Sequence, residues 1–171
     1  MSGDERGRLI SEVIAAVRAD GVARDALDQA AADRLGINLT DHRCLDVLDQ
    51  RGTSTAGEIA GALGLSTGAV TTLLDRLERV GYVRRLRDST DRRRVRVELT
   101  ELAEQLADEL YAPMGADGWA LLAGYEPGEL RLLCNFLRGS RELQERHEAR
   151  IRASAPAAQQ DRAARRPADD S

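Results

Sequence analysis

Lysine is absent from this sequence and aromatic residues are scarce. Aromatic side chains make up 3% of the 171 residues, and all 25 basic residues are arginine. A core with so little aromatic bulk must be built from Leu, Val, Ile and Ala, which favours packed helices over aromatic-rich β-sandwiches. The hydrophobic fraction of 42% is ordinary for a protein with a buried core. We therefore predict a mainly α-helical protein.

Long apolar segments and cysteine frameworks are also missing. No stretch approaches the roughly 18 apolar residues of a membrane span, and the first ten residues carry acids in place of a secretory apolar region. We therefore expect a cytoplasmic protein with no membrane partner. The cysteines, Cys44 and Cys134, are 90 positions apart and form no C-x-x-C motif, so no disulfide is predicted.

Signatures of metal binding and catalysis are absent as well. His42-x-Cys44 offers two ligand types, but residues i and i+2 of a helix point apart, so no metal site is predicted. The sequence has no Gly-rich phosphate loop, nucleophile elbow or paired-carboxylate motif. Its two histidines, His42 and His147, are explained as polar helix residues. We expect no enzymatic activity and no cofactor.

Apolar residues at helical spacing predict long helices near both ends of the chain. Residues 8–35 are predicted to form one long helix or two, with Gly21 as a weak point. A later helix is expected to be kinked or interrupted near Pro113. Further helices are predicted to begin at Thr40, Thr100 and Glu126-Pro127.

Two short helices joined by a tight turn are predicted in the middle of the chain. Thr55 and Glu58 have the spacing of a capping box, and Gly64 is expected to end that helix. Ser66 then caps a second helix, which Gly81 ends. This arrangement is the helix-turn-helix pattern.

A β-hairpin with a basic tip is predicted next, because the apolar period changes to two in residues 82–86 and 95–99. Residues 76–96 contain nine arginines and three carboxylates, which gives this stretch a net charge of +6 in a chain whose total charge is −4. Such a stretch can bind phosphates locally. A solvated charged hairpin is the alternative.

The second short helix has the composition of a recognition helix. A helix that enters the major groove needs short polar residues at its N-terminal end and a basic residue further along for a phosphate. A solvent-exposed polar face is the alternative reading of the same pattern. The predicted DNA contacts on this helix are Ser66, Thr67, Thr71, Thr72 and Arg76.

The hairpin tip supplies further predicted contacts to double-stranded DNA. A narrow minor groove attracts an arginine from such a tip, and Arg93 is the first choice and Arg92 the second. Asp91 is expected to orient Arg93 through a charge-assisted hydrogen bond. The arginines expected to meet phosphates or remain solvated are Arg84, Arg85 and Arg94.

At these residues the sequence resembles the MarR family of winged helix-turn-helix regulators. Its wing signature is matched by Asp88-x-x-Asp91-Arg92-Arg93-x-Val95-x-Val97-x-Leu99-Thr100, and residues 56–83 are similar to its helix-turn-helix. The resemblance covers residues 8–150. It implies a mainly α fold with a small β-hairpin. The implied parts are a helical dimerisation region at 8–38 and 100–153 and a winged helix-turn-helix domain at 39–99. The composition beyond residue 153, without spaced large apolar residues, predicts a disordered tail at 154–171.

The resemblance also implies a regulatory mechanism. Family members are homodimers, and a two-fold dimer reads an inverted repeat with half-sites roughly 10 base pairs apart. A small aromatic acid or phenol commonly releases such a repressor from DNA by occupying a cleft beside the dimerisation helices. The effector-binding residues implied by position are Val17, His42, Arg43, Asp46 and Tyr111, with Arg43 as the carboxylate partner.

Three functions remain open at this point. The first is a ligand-responsive transcriptional repressor. The second is an architectural DNA-binding protein of loose sequence specificity, suggested by the excess of arginine. The third is a winged helix used only for protein interaction. A sequence-specific operator would favour the first.

Overall fold

The computed structural model describes residues 3–87 and 95–154 and is mainly helical, as predicted. The elements are α1 (Gly3–Leu35), α2 (Leu39–Arg51), β1 (Ser54–Thr55), α3 (Ala56–Leu63), α4 (Thr67–Arg79), β2 (Val83–Arg87), β3 (Val95–Leu99), α5 (Glu101–Leu122) and α6 (Pro127–Ala153). The described ranges contain no helix that is long and apolar enough to cross a membrane. The predicted fold class, mainly α with a small β-hairpin, is confirmed.

The sheet has three antiparallel strands in the order β1-β3-β2. Leu86 pairs with Arg96 in the predicted hairpin, and Ser54 of β1 pairs with Val97 on the other edge of β3. The sequence analysis missed β1, because a strand of two residues is too short to show a period of two. The Arg96 guanidinium also donates a hydrogen bond to the Thr53 carbonyl, which holds β1 against the hairpin.

The main core lies between α2, α3, α4 and the sheet, and it is aliphatic, as the shortage of aromatic residues predicted. A fully buried leucine or isoleucine contributes about 1.5–3 kcal/mol relative to an exposed one. The largest buried side chains of this core are Leu48, Ile59, Val70, Leu73, Leu74, Leu77 and Val97.

The predicted capping residues of the two short helices are confirmed. Thr55 Oγ1 accepts from the Glu58 N–H at 3.3 Å, and a Glu58 carboxylate oxygen accepts from the Thr55 N–H at 2.7 Å. Ser66 Oγ accepts from the Ala69 N–H at 3.3 Å. Gly64 has a φ of 65° at the end of α3, the left-handed conformation that glycine adopts most readily.

The structure differs from the sequence analysis at the start of α2 and in having no interruption at Pro113. Asn38, and not Thr40, caps α2, because its Oδ1 accepts from the Asp41 N–H at 2.9 Å, so the cap lies two residues earlier than predicted. Helix α1 is a single helix that continues through Gly21, which is one of the two predicted alternatives, and the surface at Gly21 is open. Helix α5 continues through Pro113, since a proline removes only one backbone hydrogen bond from this helix of 22 residues.

The described residues form two compact units, with the boundary between Gly115 and Ala116. The first contains α1 to α4, the sheet and the N-terminal part of α5, and the second contains the rest of α5 and α6. The domain bounds implied by the resemblance stay predictions. The hairpin tip at 88–94 and the tail from 155 onward lie outside the described residues.

Candidate nucleic-acid interface

Helix α4 presents a small, polar face to solvent at its N-terminal end. Val70, Leu73 and Leu77 are buried on its other side, which fixes the rotation of the helix about its axis. No atom lies within 4 Å of a Cβ placed on Gly68, so the backbone there is open to close approach. The predicted contact residues that are exposed on this face are Ser66, Thr67, Thr71 and Thr72.

The threonine hydroxyls of α4 have defined hydrogen bonds. Thr71 Oγ1 donates to the Thr67 carbonyl at 2.9 Å, and Thr72 Oγ1 donates to the Gly68 carbonyl at 3.3 Å. With their protons directed at the helix backbone, the two hydroxyl oxygens can still accept from a ligand. In these rotamers the face therefore suits donors such as the amino groups of adenine and cytosine.

Arg76 is held by a carboxylate of α2. Its Nη2 lies 2.6 Å from Asp41 Oδ1 and its Nε lies 3.1 Å from Asp41 Oδ2, a bidentate pair in which the Asp41 carboxylate is buried. The hydrogen bond that Arg76 donates to Asp41 raises the pKa of Arg76. The pair anchors α4 to the start of α2. Contact between Arg76 and a DNA phosphate stays a prediction, and sequence reasoning missed the partner because no spacing rule links residues so far apart.

The arginines of β2 are paired with carboxylates. Arg84 Nη2 lies 2.6 Å from a Glu98 carboxylate oxygen on β3, and Arg85 pairs with both Asp75 and Glu78 of α4. We expected these two arginines to contact phosphates or to remain solvated. In the structure Arg85 instead forms ion pairs with α4, and these pairs connect the hairpin to that helix. The predicted contacts Asp91, Arg92 and Arg93 lie outside the described residues and stay predictions.

A cleft of about 330 Å³ lies between α1, α2, the sheet and the N-terminal part of α5. Three of the residues implied as effector contacts line it, namely His42, Asp46 and Tyr111. Val17 and Arg43 are not among the described residues of its wall, and Arg43 instead lies 3.7 Å from the Asp25 carboxylate. Further lining residues are Arg24, Leu27, Asp28, Asp49, Leu106, Leu110 and Met114.

His42 is the most deeply buried polar group of this cleft, with 2% of its surface exposed. Its Nε2 lies 2.9 Å from the Tyr111 hydroxyl, whereas its Nδ1 is buried and has no hydrogen-bond partner among the described residues. Asp46 Oδ2 lies 3.5 Å from Nδ1, beyond the usual hydrogen-bond range. Asp28 places a third ligand-type atom in the same cluster, with all three atoms within 4.8 Å of one another.

Burial and neighbouring carboxylates shape the electrostatics of the cleft. Burial is the main reason that the pKa of Asp46 is raised, His42 and Arg24 act in the opposite direction, and Asp28 and Asp49 raise it further. The pKa of Tyr111 is also raised, first by burial and then by Asp46 and Asp28. Tyr111 therefore stays a neutral phenol at physiological pH.

Neither cysteine forms a disulfide in the described structure. Burial, with a smaller contribution from the Asp41 charge, raises the pKa of Cys44 to about 12. A thiol with that pKa is protonated at neutral pH and is a poor nucleophile. Cys134 is exposed on α6.

Apolar side chains lie exposed along the long helices. On α1, Leu9, Ile10, Val13 and Ile14 are each more than 40% exposed. Helix α6 has no buried side chain over its 27 residues, and its exposed apolar residues include Leu132, Phe136 and Leu137. Such stripes on a helix are typical of surfaces that pack against another chain.

Comparisons with known proteins agree with this architecture. The model of the MarR family matches residues 37–95. The HTH-type transcriptional regulator YcgE of Bacillus subtilis is 34% identical over 149 residues, which cover 87% of this chain and 97% of YcgE.

Solved structures are similar along most of the chain. A MarR family protein from Bacillus stearothermophilus has a TM-score of 0.62 at 24% identity, over 81% of this chain and 97% of that one. FabT of Streptococcus pneumoniae, solved in complex with DNA, has a TM-score of 0.61 at 22% identity, over 81% and 96%. At these identities the likeness shows the fold.

Proposed function

Because the chain belongs to the MarR family of transcriptional regulators, we propose that it is a cytoplasmic, homodimeric repressor that binds an inverted-repeat operator. A small phenolic effector then releases it from DNA. The observation that carries the proposal is the exposed N-terminal face of α4, formed by Ser66, Thr67, Thr71 and Thr72.

The surroundings of α4 suit insertion into a major groove. Short side chains on the exposed face let the helix approach base edges, while the buried leucines and the Asp41–Arg76 pair hold it in one orientation. The FabT complex with DNA is one precedent in a similar fold. In the proposed complex the hairpin lies beside α4, where Arg93 and Arg92 enter the minor groove and Asp91 orients Arg93.

A homodimer is supported by the exposed apolar surface of the long helices. A single copy of the chain leaves Leu132, Phe136 and Leu137 of α6 exposed to water, and burying a leucine fully gains about 1.5–3 kcal/mol. A two-fold interface would bury the same face of both copies. Two recognition helices related by that axis would read an inverted repeat.

The cleft supports a phenolic effector more than a carboxylate. Its volume of about 330 Å³ suits a small ligand, and Leu106, Leu110 and Met114 give it an apolar wall. Arg43 lies outside the described lining, which contains four aspartates and one arginine, Arg24. An effector can release the operator only by binding more tightly to a conformation that binds DNA poorly.

The proposal is tested by selecting DNA from a random pool with the purified, full-length protein. We expect an enriched inverted repeat with half-site centres roughly 10 base pairs apart. Equal affinity for selected and random DNA, with a steep dependence on salt, would indicate an architectural protein instead. No DNA binding at low salt would indicate a protein-interaction module.

The Arg93→Ala variant tests the wing. Loss of an arginine from the minor groove should weaken operator binding by about 1–3 kcal/mol, measured by gel shift at fixed salt. Arg8→Ala is the matched control, because Arg8 is an exposed arginine of α1 that is far in sequence from the helix-turn-helix. An equal effect of the two variants would contradict the assignment of the wing.

A further inference from the structure

The cluster of Asp28, His42 and Asp46 has a feature that the proposed function does not explain. The Nδ1 atom of His42 is buried without a hydrogen-bond partner among the described residues, and it lies 3.5 Å from Asp46 Oδ2 in a cluster to which Asp28 also belongs. A buried polar atom left unpaired costs about 1–3 kcal/mol, so the arrangement calls for an occupant that satisfies it.

Tyr111 contacts the other ring nitrogen of His42, and this contact bears on whether Nδ1 carries a proton or a lone pair. When Nε2 carries the ring proton, it donates to the Tyr111 hydroxyl oxygen 2.9 Å away, and Nδ1 then presents a lone pair to the carboxylates. In that tautomer all three groups present lone pairs, and a cation can satisfy them together. Histidine ligands of metals commonly donate their second ring N–H to an outer partner in this way.

The distances suit a metal ion with short bonds. Ligand atoms around a tetrahedral zinc ion lie about 3.4 Å apart when each bond is about 2.1 Å long. His42 Nδ1 and Asp46 Oδ2 are 3.5 Å apart, and one ligand atom from each of Asp28, His42 and Asp46 lies within 4.8 Å of the other two. A nitrogen ligand with two carboxylates favours first-row transition metals over Mg²⁺ and Ca²⁺, which prefer oxygen ligands.

We propose that Asp28, His42 Nδ1 and Asp46 bind a divalent first-row metal ion of the zinc class, with Tyr111 as a positioning residue. The site joins α1 to α2, and water completes the coordination. The site shares His42, Asp46 and Tyr111 with the proposed effector cleft, but the proposed function does not include a metal ion, and the test needs neither DNA nor an effector.

Metal binding is measured on tag-free, chelator-treated, full-length protein. Zn²⁺ is titrated in competition with a chromogenic chelator, and Co²⁺ is used to record the visible bands of a four-coordinate site. We expect one ion per chain. Asp28→Asn, His42→Gln and Asp46→Asn should each weaken Zn²⁺ binding by roughly 100-fold or more, since even the loss of an outer partner costs about 10–100-fold.

Matched controls separate this site from stray binding. His147→Gln removes the other histidine of the chain, and Asp25→Asn removes an exposed carboxylate of α1 close to Asp28. Both variants should bind Zn²⁺ like the parent. Tyr111→Phe should bind about 10-fold more weakly while the Co²⁺ bands persist with a shift, a result that loss of the fold would not give.

The outcomes that would overturn the proposal are specific. They are no Zn²⁺ binding by the parent protein, binding that Asp28→Asn leaves unchanged, and binding lost in His147→Gln. Asp28 is only half-buried on the surface of α1, so its variant is expected to fold even if His42→Gln does not. Circular dichroism spectra of each variant establish that its helices are intact.

Discussion

Arg76 of α4 forms an ion pair with another residue of the same chain, Asp41 of α2. Its guanidinium forms two hydrogen bonds with Asp41, whose carboxylate is buried. A buried carboxylate that loses its cation is left without compensation in a poorly solvated place. At this scale the pair stabilises the fold, whatever contact the exposed part of Arg76 makes with DNA.

The Arg76→Met variant tests that role in stability. Methionine keeps most of the aliphatic stem but leaves the buried Asp41 carboxylate without its cation, although Asn38 Nδ2 still donates to it, so the free energy of unfolding should fall by about 3 kcal/mol. The measurement is urea denaturation at a fixed protein concentration, because dimerisation links stability to concentration.

Arg79→Met is the control for that measurement. Arg79 is an exposed residue of the same helix, and its replacement should change the free energy of unfolding by no more than about 0.5 kcal/mol. If the two substitutions lowered the free energy of unfolding equally, the Arg76–Asp41 pair would contribute no more to stability than an exposed arginine does.

At the scale of elements, the helix-turn-helix depends on its caps and its packing. Helices α3 and α4 have 8 and 13 residues, and isolated helices shorter than about 12–15 residues are marginal in water. The side chains of Thr55 and Ser66 therefore begin helices that the buried core must then hold in place. Arg85 adds a link from β2 to α4 through Asp75 and Glu78.

The Thr55→Ala variant should destabilise the protein by about 1 kcal/mol, the usual cost of removing an N-cap hydroxyl. The physical reason is that the Glu58 N–H loses its acceptor at the first turn of α3. Thr55→Ser, which keeps the hydroxyl, should stay close to the parent in the same urea titration. If Thr55→Ser lost as much stability as Thr55→Ala, the cap would not be the cause.

At the scale of the whole molecule, the exposed apolar faces of the long helices remain to be covered. Leu132 and Leu137 of α6 are 69% and 62% exposed, and Ile10 of α1 is 45% exposed. Helices with such faces are stable in water when another copy of the chain packs against them. The homodimer that we propose follows from this surface.

The Leu137→Asp variant tests the interface by placing a charge on the apolar face of α6. We expect the dimer to dissociate at concentrations where the parent remains associated, measured by sedimentation equilibrium, because an unpaired carboxylate would have to be buried. The affinity for the operator should fall as the dimer dissociates.

Asn135→Asp adds the same charge on the opposite side of α6, two residues away, where Arg138 already contacts the residue. It should leave the dimer intact. If the dissociation constant of the dimer were unchanged in both variants, this face of α6 would not be the interface.

Local features of the sequence predicted most of the fold. The caps at Thr55 and Ser66, the glycine at 64 and the hairpin in residues 83–99 all depend on hydrogen bonds and side-chain periods that span a few residues. The exposed polar face of α4 follows from the same periodicity. The sequence left open whether α1 is one helix or two, and an interruption at Pro113 was wrongly predicted, because the neighbouring turns keep both helices continuous.

The sequence by itself determined the elements and the polar face of the helix-turn-helix, since these arise from interactions between near neighbours. Only the tertiary structure decided that Arg76 meets Asp41, that β1 joins the hairpin, and that Asp28 joins His42 and Asp46. Those contacts depend on how helices pack across many intervening residues, and no spacing rule in the sequence describes that packing.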